Sequence, residues 1–592
     1  MSRLTDTRRL VWLSFLALGL GAVMAPVSQF LLWLIGVITS VAFFGKFDHA
    51  TLTPIGNHLG LGVILVPVIG GLIVGLMARF GSPAIRGHGI PEAMEQVLEN
   101  ASRIPARITW LKPLSAAISI GTGGPFGAEG PIIATGGAGG SLVGQVLPTS
   151  ASDRKTLLAA GAAAGMAATF GSPLSAVLLA IELLLFEFKA RSLVPVILAV
   201  TVATAIRAAW IGSKPVFAMP QVLHAPTVPA FFALLAIGAV MGLLAFVISK
   251  AVYFVEENFE KLPVHWMWWP ALGAIAVGMI GFFEPRTLGV GYSNITLNLA
   301  GALPATAILA LCSLKFLSWS IALGSGTSGG TLAPLMTIGS GLGLVAGVVV
   351  HPFVPSLDVH LAALVGMACV FGGASQAILA SAVFAYETTG QTQAIFPILA
   401  SCAVALLVVR ALGKTSIMTE KIERRGVSVP AEFGADVFEH TTVGKVMEKE
   451  VTTIASNMPL LELARRVSAH DPVYSRRHAH PVVDDAGRLI GIITRGDLMR
   501  AVGTATDSTT VLEAASQSLV VTHPAETLHI AIHKLLLHDI GRLPVVDPQD
   551  SMQLVGYLSR AAILSARWKQ LHEETSTHRT WVPWRREKIS SR

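Results

Sequence analysis

The chain has 592 residues, 52% of them hydrophobic and 13% charged, with a mean hydropathy of +0.63. That composition excludes a single soluble domain and reads as a polytopic membrane protein with a smaller polar region. The formal net charge of +7 is spread over loops and the tail, including Arg585 and Arg586, which fits solvated faces and lipid headgroups rather than nucleic acid.

Arg3, Arg8 and Arg9 precede an apolar run from Leu10 to about Val41. The run is too long for a signal-peptide core, so it predicts a retained helix, and the arginines favour a cytoplasmic N-terminus. Apolar segments long enough to span a bilayer, or nearly so, recur to Leu412. Cys312, Cys369 and Cys402 fall in these segments and read as small core residues, without the spacing of a disulfide framework or a metal site.

Two Gly/Pro elements interrupt the first segments: Gly87-His88-Gly89-Ile90-Pro91, followed by Glu92 as a first-turn carboxylate, and Gly127-Ala128-Glu129-Gly130-Pro131. Glu129 is a carboxylate at membrane depth, where burial costs about 2.5–3.5 kcal/mol on insertion scales. Gly127 and Gly130 free the backbone, and Pro131 suits the first position of a helix. Helix N-termini expose unpaired amides and bind anions, so a carboxylate tethered there can fill an anion site as a plug.

The element recurs as Gly330-Thr331-Leu332-Ala333-Pro334, with Pro334 lying 203 residues after Pro131. Gly161 leads to Glu182, and Gly366 to Glu387, each through an Ala-rich apolar helix over 21 residues, and the two glutamates stand 205 apart. This is a duplication with one small indel. Gly/Pro-interrupted segments at matching places in two repeats are the signature of transporters whose broken helices meet near the bilayer midplane. Pro91, Pro131 and Pro334 then mark three helix N-termini able to converge on one anion. Glu182 and Glu387 are expected to accept hydrogen bonds from helix termini or basic side chains rather than to move ions.

Past Thr441 the chain turns polar and repeats a strand-and-helix unit: Pro481-Val482-Val483-Asp484 with Gly491-Ile492-Ile493-Thr494, then Pro544-Val545-Val546-Asp547 with Gly556-Tyr557-Leu558-Ser559. Two small α/β units are predicted. Gly413-Lys414-Thr415 imitates the end of a phosphate-binding loop, but Val408 stands where its first glycine belongs, which argues against ATP hydrolysis. From Trp568 to Arg592, Trp581 and Trp584 mix with arginines, as in a headgroup-contacting or unstructured end.

The motifs GHGIP (87–91), GAEGP (127–131) and GTLAP (330–334), in this order and with Lys112 ahead of the second, resemble the ClC family of chloride channels and chloride/proton antiporters. The polar region is similar to tandem CBS domains. The resemblance implies an all-α polytopic membrane fold with an inverted internal repeat, followed by α/β CBS domains. The boundaries it suggests are a transport domain over 1–414, a linker over 415–440, CBS domains over 441–503 and 504–567, and a basic tail over 568–592. It implies Glu129 as the gating glutamate and an anion site formed by Gly87, His88, Gly89, Ile90, Gly127, Ala128, Gly130, Thr331, Leu332, Ala333 and Met418.

The departures from the family pattern are specific. His88 replaces a serine, Ala128 a basic residue, Leu332 a phenylalanine and Met418 a central tyrosine. Leu183 stands directly after Glu182, where antiporters carry an inner proton acceptor, and a leucine cannot accept a proton. The resemblance therefore implies channel-like chloride transport. The alternatives are an antiporter with a non-standard inner proton route, and a CBS-regulated cation transporter, which would need several carboxylates around one site. His88 either becomes a cation beside the ion, given an unperturbed pKa of about 6.5, or points away and leaves the amides of Gly89 and Ile90 to line the path. In the first CBS copy Gly491, Thr494 and Asp497 match the family's adenosine-ribose pattern, whereas the second has Ser559 but Ala562. One regulatory adenine-nucleotide site, or a purely structural pair, is implied.

No enzymatic activity, required cofactor, metal or nucleic-acid partner is implied. The expected partners are chloride or a similar anion, the bilayer, and a second copy in a homodimer. The expected location is a bacterial inner (cell) membrane, with the N-terminus and CBS domains cytoplasmic.

Overall fold

A computed structural model describes residues 2–49, 53–413, 415–427, 429, 438, 441–475, 478–550 and 552–575. Lys414, most of the 428–440 stretch, and Trp581, Trp584, Arg585 and Arg586 lie outside the described residues. The chain divides into the units Met1–Val429 and Pro430–Thr575.

The first unit is helical, and its helices repeat eight by eight. The first copy comprises α1 (Ser2–Phe44), α2 (Leu65–Phe80), α3 (Ile90–Glu99), α4 (Ile108–Gly121), α5 (Glu129–Val146), α6 (Ala151–Phe170), α7 (Pro173–Ala180) and α8 (Ala190–Ile211). The second comprises α9 (Val228–Glu260), α10 (Trp269–Phe283), α11 (Tyr292–Leu299), α12 (Ala305–Gly324), α13 (Leu332–Val350), α14 (Val359–Ser375), α15 (Ile378–Thr389) and α16 (Ile395–Leu412), and a short α17 (Glu420–Arg424) follows. Among the described residues, eight helices are long and apolar enough to cross a membrane, and the run after the N-terminal arginines is part of one of them, α1.

Glycine sets how closely the helices of each copy approach. A side chain on Gly161 of α6 would collide with the Gly136 carbonyl of α5, and one on Gly366 of α14 with the Gly339 carbonyl of α13. Small residues at such crossings bring backbones together where lipid gives no hydrophobic drive for association.

Gly161 and Glu182 do not share one helix, nor do Gly366 and Glu387. Each stretch breaks at a left-handed residue, Gly171 (φ 62°) and Gln376 (φ 60°), because α6 and α14 must end before α7 and α15 set off in new directions. The first break is the familiar αL glycine followed two residues on by Pro173. The second uses glutamine, which carries no such signal.

The second unit contains two small cores. In one, β1 (Ile454–Ala455) pairs parallel with β2 (Ala479–Val483), and β2 pairs antiparallel with β3 (Leu489–Thr494). In the other, β4 (Arg542–Val546) pairs antiparallel with β5 (Leu554–Ser559). Both antiparallel pairs shift register at matching points, Val482/Val483 and Val545/Val546, so the duplication extends to the β-bulge.

Candidate functional site

Helices α5 and α13 begin back to back. The Gly127 amide donates to the Gly330 carbonyl at 3.1 Å and the Gly330 amide to the Gly127 carbonyl at 2.9 Å, tying the two repeat motifs together. A third strand of backbone joins them where the Gly329 amide reaches the Gly87 carbonyl at 3.4 Å. A side chain on Gly130 would strike the His88 carbonyl. The segments 87–90, 127–130 and 331–333 are therefore brought together.

The helices start slightly earlier than their prolines suggest. Glu129, not Pro131, is the first residue of α5, and Pro131 and Pro334 are third in α5 and α13, while Pro91 is second in α3. All three remain inside the first turn, where an amide has no intrahelical partner, so proline forfeits nothing.

Glu129 is fully buried, and neither carboxylate oxygen completes a hydrogen bond of good geometry. The carboxylate folds back over Gly127, where a Cβ would collide with it, and lies beside Gly330. The groups acting on it are its own amide, the Tyr292 hydroxyl, the Ala333 amide and the Lys315 ammonium. The Thr331 hydroxyl, the Tyr292 hydroxyl and His88 Nδ1 are likewise buried without partners.

His88 is buried among Glu92, Lys112, Lys421 and the Ile417 carbonyl. Met418, the next residue, is fully buried and its amide donates to Ser416 Oγ at 3.2 Å. The Ile417 amide donates to the Ala374 carbonyl at 2.9 Å, and the Tyr253 hydroxyl to the Ile417 carbonyl at 2.8 Å. These bonds fix the loop after α16 against His88. Glu92 accepts the Gly89 amide at 2.7 Å and caps α3.

Lys112 is buried and donates to the carbonyls of Ile85 and Gly87, both at 2.8 Å. The sequence reading missed its counterpart. Lys315, 203 residues later, is also buried and donates to Thr287 at 2.8 Å and Gly289 at 3.2 Å. Gly289-Val290-Gly291-Tyr292 is thus the second copy of Gly87-His88-Gly89-Ile90, with Gly89 (φ 91°) and Gly291 (φ 74°) as matching N-caps of α3 and α11. Carrying the offset of the prolines back to Lys112 finds it, although no proline marks α11.

Glu182 and Glu387 behave as expected of terminus caps. Glu182 accepts the amides of Leu379 and Ala380 at 3.1 and 2.9 Å, in the first turn of α15; Glu387 accepts those of Leu174 and Ser175, both at 2.9 Å, in the first turn of α7. Leu183 is buried in a single π turn over Ile181–Leu185.

In the second unit Thr494 and Asp497 form a capping box for the helix Arg495–Val502. The Asp497 amide donates to Thr494 Oγ1 at 3.1 Å, the Thr494 amide and hydroxyl to Asp497 Oδ2 at 2.9 and 2.6 Å, and Arg500 pairs with the other carboxylate oxygen. A ribose at this place would compete with those bonds.

Comparison with known proteins agrees with this architecture. The family model described as "Voltage gated chloride channel" matches residues 70–410, and the CBS domain model matches 443–504 and 506–569. The chain is 25% identical over 615 aligned residues to chloride channel protein CLC-f of Arabidopsis thaliana, covering 89% of this chain and 76% of that one. It is 28% identical to the H(+)/Cl(-) exchange transporter ClcA of Salmonella arizonae, covering 70% and 90%. Among solved structures, a eukaryotic CLC transporter superposes with a TM-score of 0.61 at 18% identity, covering 94% of this chain and 98% of that one. A slow cyanobacterial Cl-/H+ antiporter gives 0.60 at 23% identity, covering 71% and 97%. With its repeated helices, its convergent N-termini and a family match over most of the first unit, the chain belongs to the voltage-gated chloride channel family, a family of channels and transporters rather than enzymes, and carries two CBS domains.

Proposed function

We propose that this protein moves chloride across the membrane in a channel-like manner, with Glu129 as the gate. The observation that carries the reading is the cluster of buried polar groups lacking partners where α5 and α13 begin: both Glu129 oxygens and the Thr331 hydroxyl, beside the Ala333 amide. Buried polar groups are normally paired. An anion that takes the place of the carboxylate would supply the missing acceptor, and helix N-termini favour it electrostatically. The segments Gly87 to Ile90 and Gly127 to Gly130, with Thr331, Leu332, Ala333 and Met418, would line the path. With Glu92 committed to the Gly89 amide, one unpaired carboxylate among several N-termini suits an anion better than a cation.

Leu183 supports the channel-like reading over coupled antiport, because it is apolar and buried. Its neighbour Glu182 does not substitute for it, since both its oxygens hold the first turn of α15. Purified protein in liposomes under opposed chloride and proton gradients tests this directly. The current should reverse at the chloride equilibrium potential whatever the proton gradient. A reversal potential that follows the proton gradient would establish antiport instead.

Homodimer assembly, a bacterial inner membrane and cytoplasmic CBS domains complete the proposal. The pairing of Thr494 with Asp497 favours a structural role for these residues, yet their match to a ribose-binding pattern makes adenine-nucleotide regulation testable. A ligand that binds only the folded form stabilises it by about 2.7 kcal/mol at a hundredfold excess over Kd. ATP, ADP or AMP should then raise the melting temperature of the protein, and Asp497→Ala should abolish the rise. No shift at millimolar nucleotide would leave the CBS pair as a structural clamp.

A further inference from the structure

In each copy one of the converging helix starts is polar and its counterpart in the other copy is apolar. Glu129 opens α5 and Tyr292 opens α11; their counterparts in the other copy are Leu332, opening α13, and Ile90, opening α3. The Tyr292 ring is held edge-on against Phe170 (5.7 Å) and Phe217 (5.9 Å). That packing carries the hydroxyl to the start of α5, where it faces Glu129 and the backbone of Ala128. The hydroxyl is buried and has no completed hydrogen bond, as is true of both Glu129 oxygens. Two unpaired groups of complementary chemistry, a donor and an acceptor, thus face each other in a site closed to bulk water.

We propose that Tyr292 is the latch of the Glu129 gate: its hydroxyl donates to the seated carboxylate, and to the anion once the carboxylate has been displaced. The inference rests on the gating role proposed for Glu129. Within the described residues, the charged or titratable groups facing Glu129 are Tyr292 from α11 and Lys315 from α12. Lys315 is held to the carbonyls of Thr287 and Gly289, which leaves the phenol as the titratable donor free to follow whichever acceptor occupies the seat, alongside the Thr331 hydroxyl. Its positioning is structural, since Gly289 (φ 69°) and Gly291 (φ 74°) turn the chain into α11 immediately before it.

The test is chloride flux against external pH in liposomes, with chloride binding measured on the same preparations. Tyr292→Phe keeps the ring packing and removes the donor. Loss of the bond should ease release of the carboxylate, so acid activation should move by about one pH unit towards neutral pH, equivalent to about 1.4 kcal/mol. Chloride binding should weaken in parallel. Site-specific 3-fluorotyrosine at 292, the same ring with a stronger donor, should move the profile the opposite way, which a purely packing role would not do. In the Glu129→Gln background, Tyr292→Phe should no longer shift the pH profile but should still weaken chloride binding. If Glu129→Gln flattens the pH profile while Tyr292→Phe and the fluorotyrosine protein both keep the wild-type profile, the latch is wrong and the gate stands. If Glu129→Gln itself keeps the wild-type profile, the gate reading fails and the latch falls with it.

Discussion

Lys112 and Lys315 place a buried ammonium behind each pair of turns that leads into α3 and α11, and each binds two backbone carbonyls. A buried carbonyl stripped of its donor costs about 1–3 kcal/mol. Lys112→Met and Lys315→Met should therefore both lower the thermal midpoint of the purified protein, with Lys315→Met also weakening chloride binding because Lys315 acts electrostatically on Glu129. Equal chloride binding in both variants would confine Lys315 to a structural role. At His88, two outcomes separate its readings. A change in chloride-to-nitrate permeability in His88→Ser would put the imidazole on the ion path; unchanged selectivity would leave the path to the amides of Gly89 and Ile90. Glu129 was legible because a charge in a Gly/Pro setting stands out against apolar sequence. Tyr292 and Lys315 were not, since a tyrosine or lysine in a helix is unremarkable until its partner in the other copy is known.

The reciprocal caps belong to the scale of elements. Glu182 serves α15 and Glu387 serves α7, so each short helix gets its N-terminal acceptor from the opposite copy. Capping of this kind contributes about 0.5–2 kcal/mol, and Glu182→Ala or Glu387→Ala should destabilise the fold by that order, measured by thermal unfolding, with ion selectivity unchanged. In the second unit Glu526 accepts Lys534 Nζ at 2.9 and 2.7 Å and the Thr522 hydroxyl at 2.7 Å. Partial burial alone would raise its pKa, but these partners outweigh it and hold the carboxyl below its ordinary 4.5. A depressed folded-state pKa stabilises above the unfolded value and loses that contribution as pH falls through the folded one. Melting temperature should thus decline as pH drops below about 4.5, and Glu526→Gln should melt lower at neutral pH and lose part of that acid dependence. The spacing from Gly161 to Glu182 does not by itself show that two helices occupy it; Gly171 and Pro173 mark that break, whereas the turn at Gln376 lacks the glycine that would mark its counterpart.

At the scale of the first unit, the structure extends the repeat read at 127–182 and 330–387 to eight helices in each copy, from α1 with α9 to α8 with α16. Aligned glycines, prolines and two glutamates were enough to foresee two copies, because glycine is required where backbones touch and proline is tolerated where a helix begins. The direction in which each helix runs and the identity of its neighbours depend on packing, which no local spacing encodes. The exchange of caps between α7 and α15, together with the Gly127 and Gly330 backbone bridge, has a consequence for how the chain comes into being. As the polypeptide emerges, the first half presents a helix start with no acceptor and a backbone edge with no mate. That half remains incomplete until the second has been inserted, so assembly of the unit is a late, joint event. The same bonds would form equally well between two separate polypeptides. Two fragments cut within residues 212–227, between α8 and α9, and produced together in one membrane should therefore reassemble, whereas either alone should be degraded.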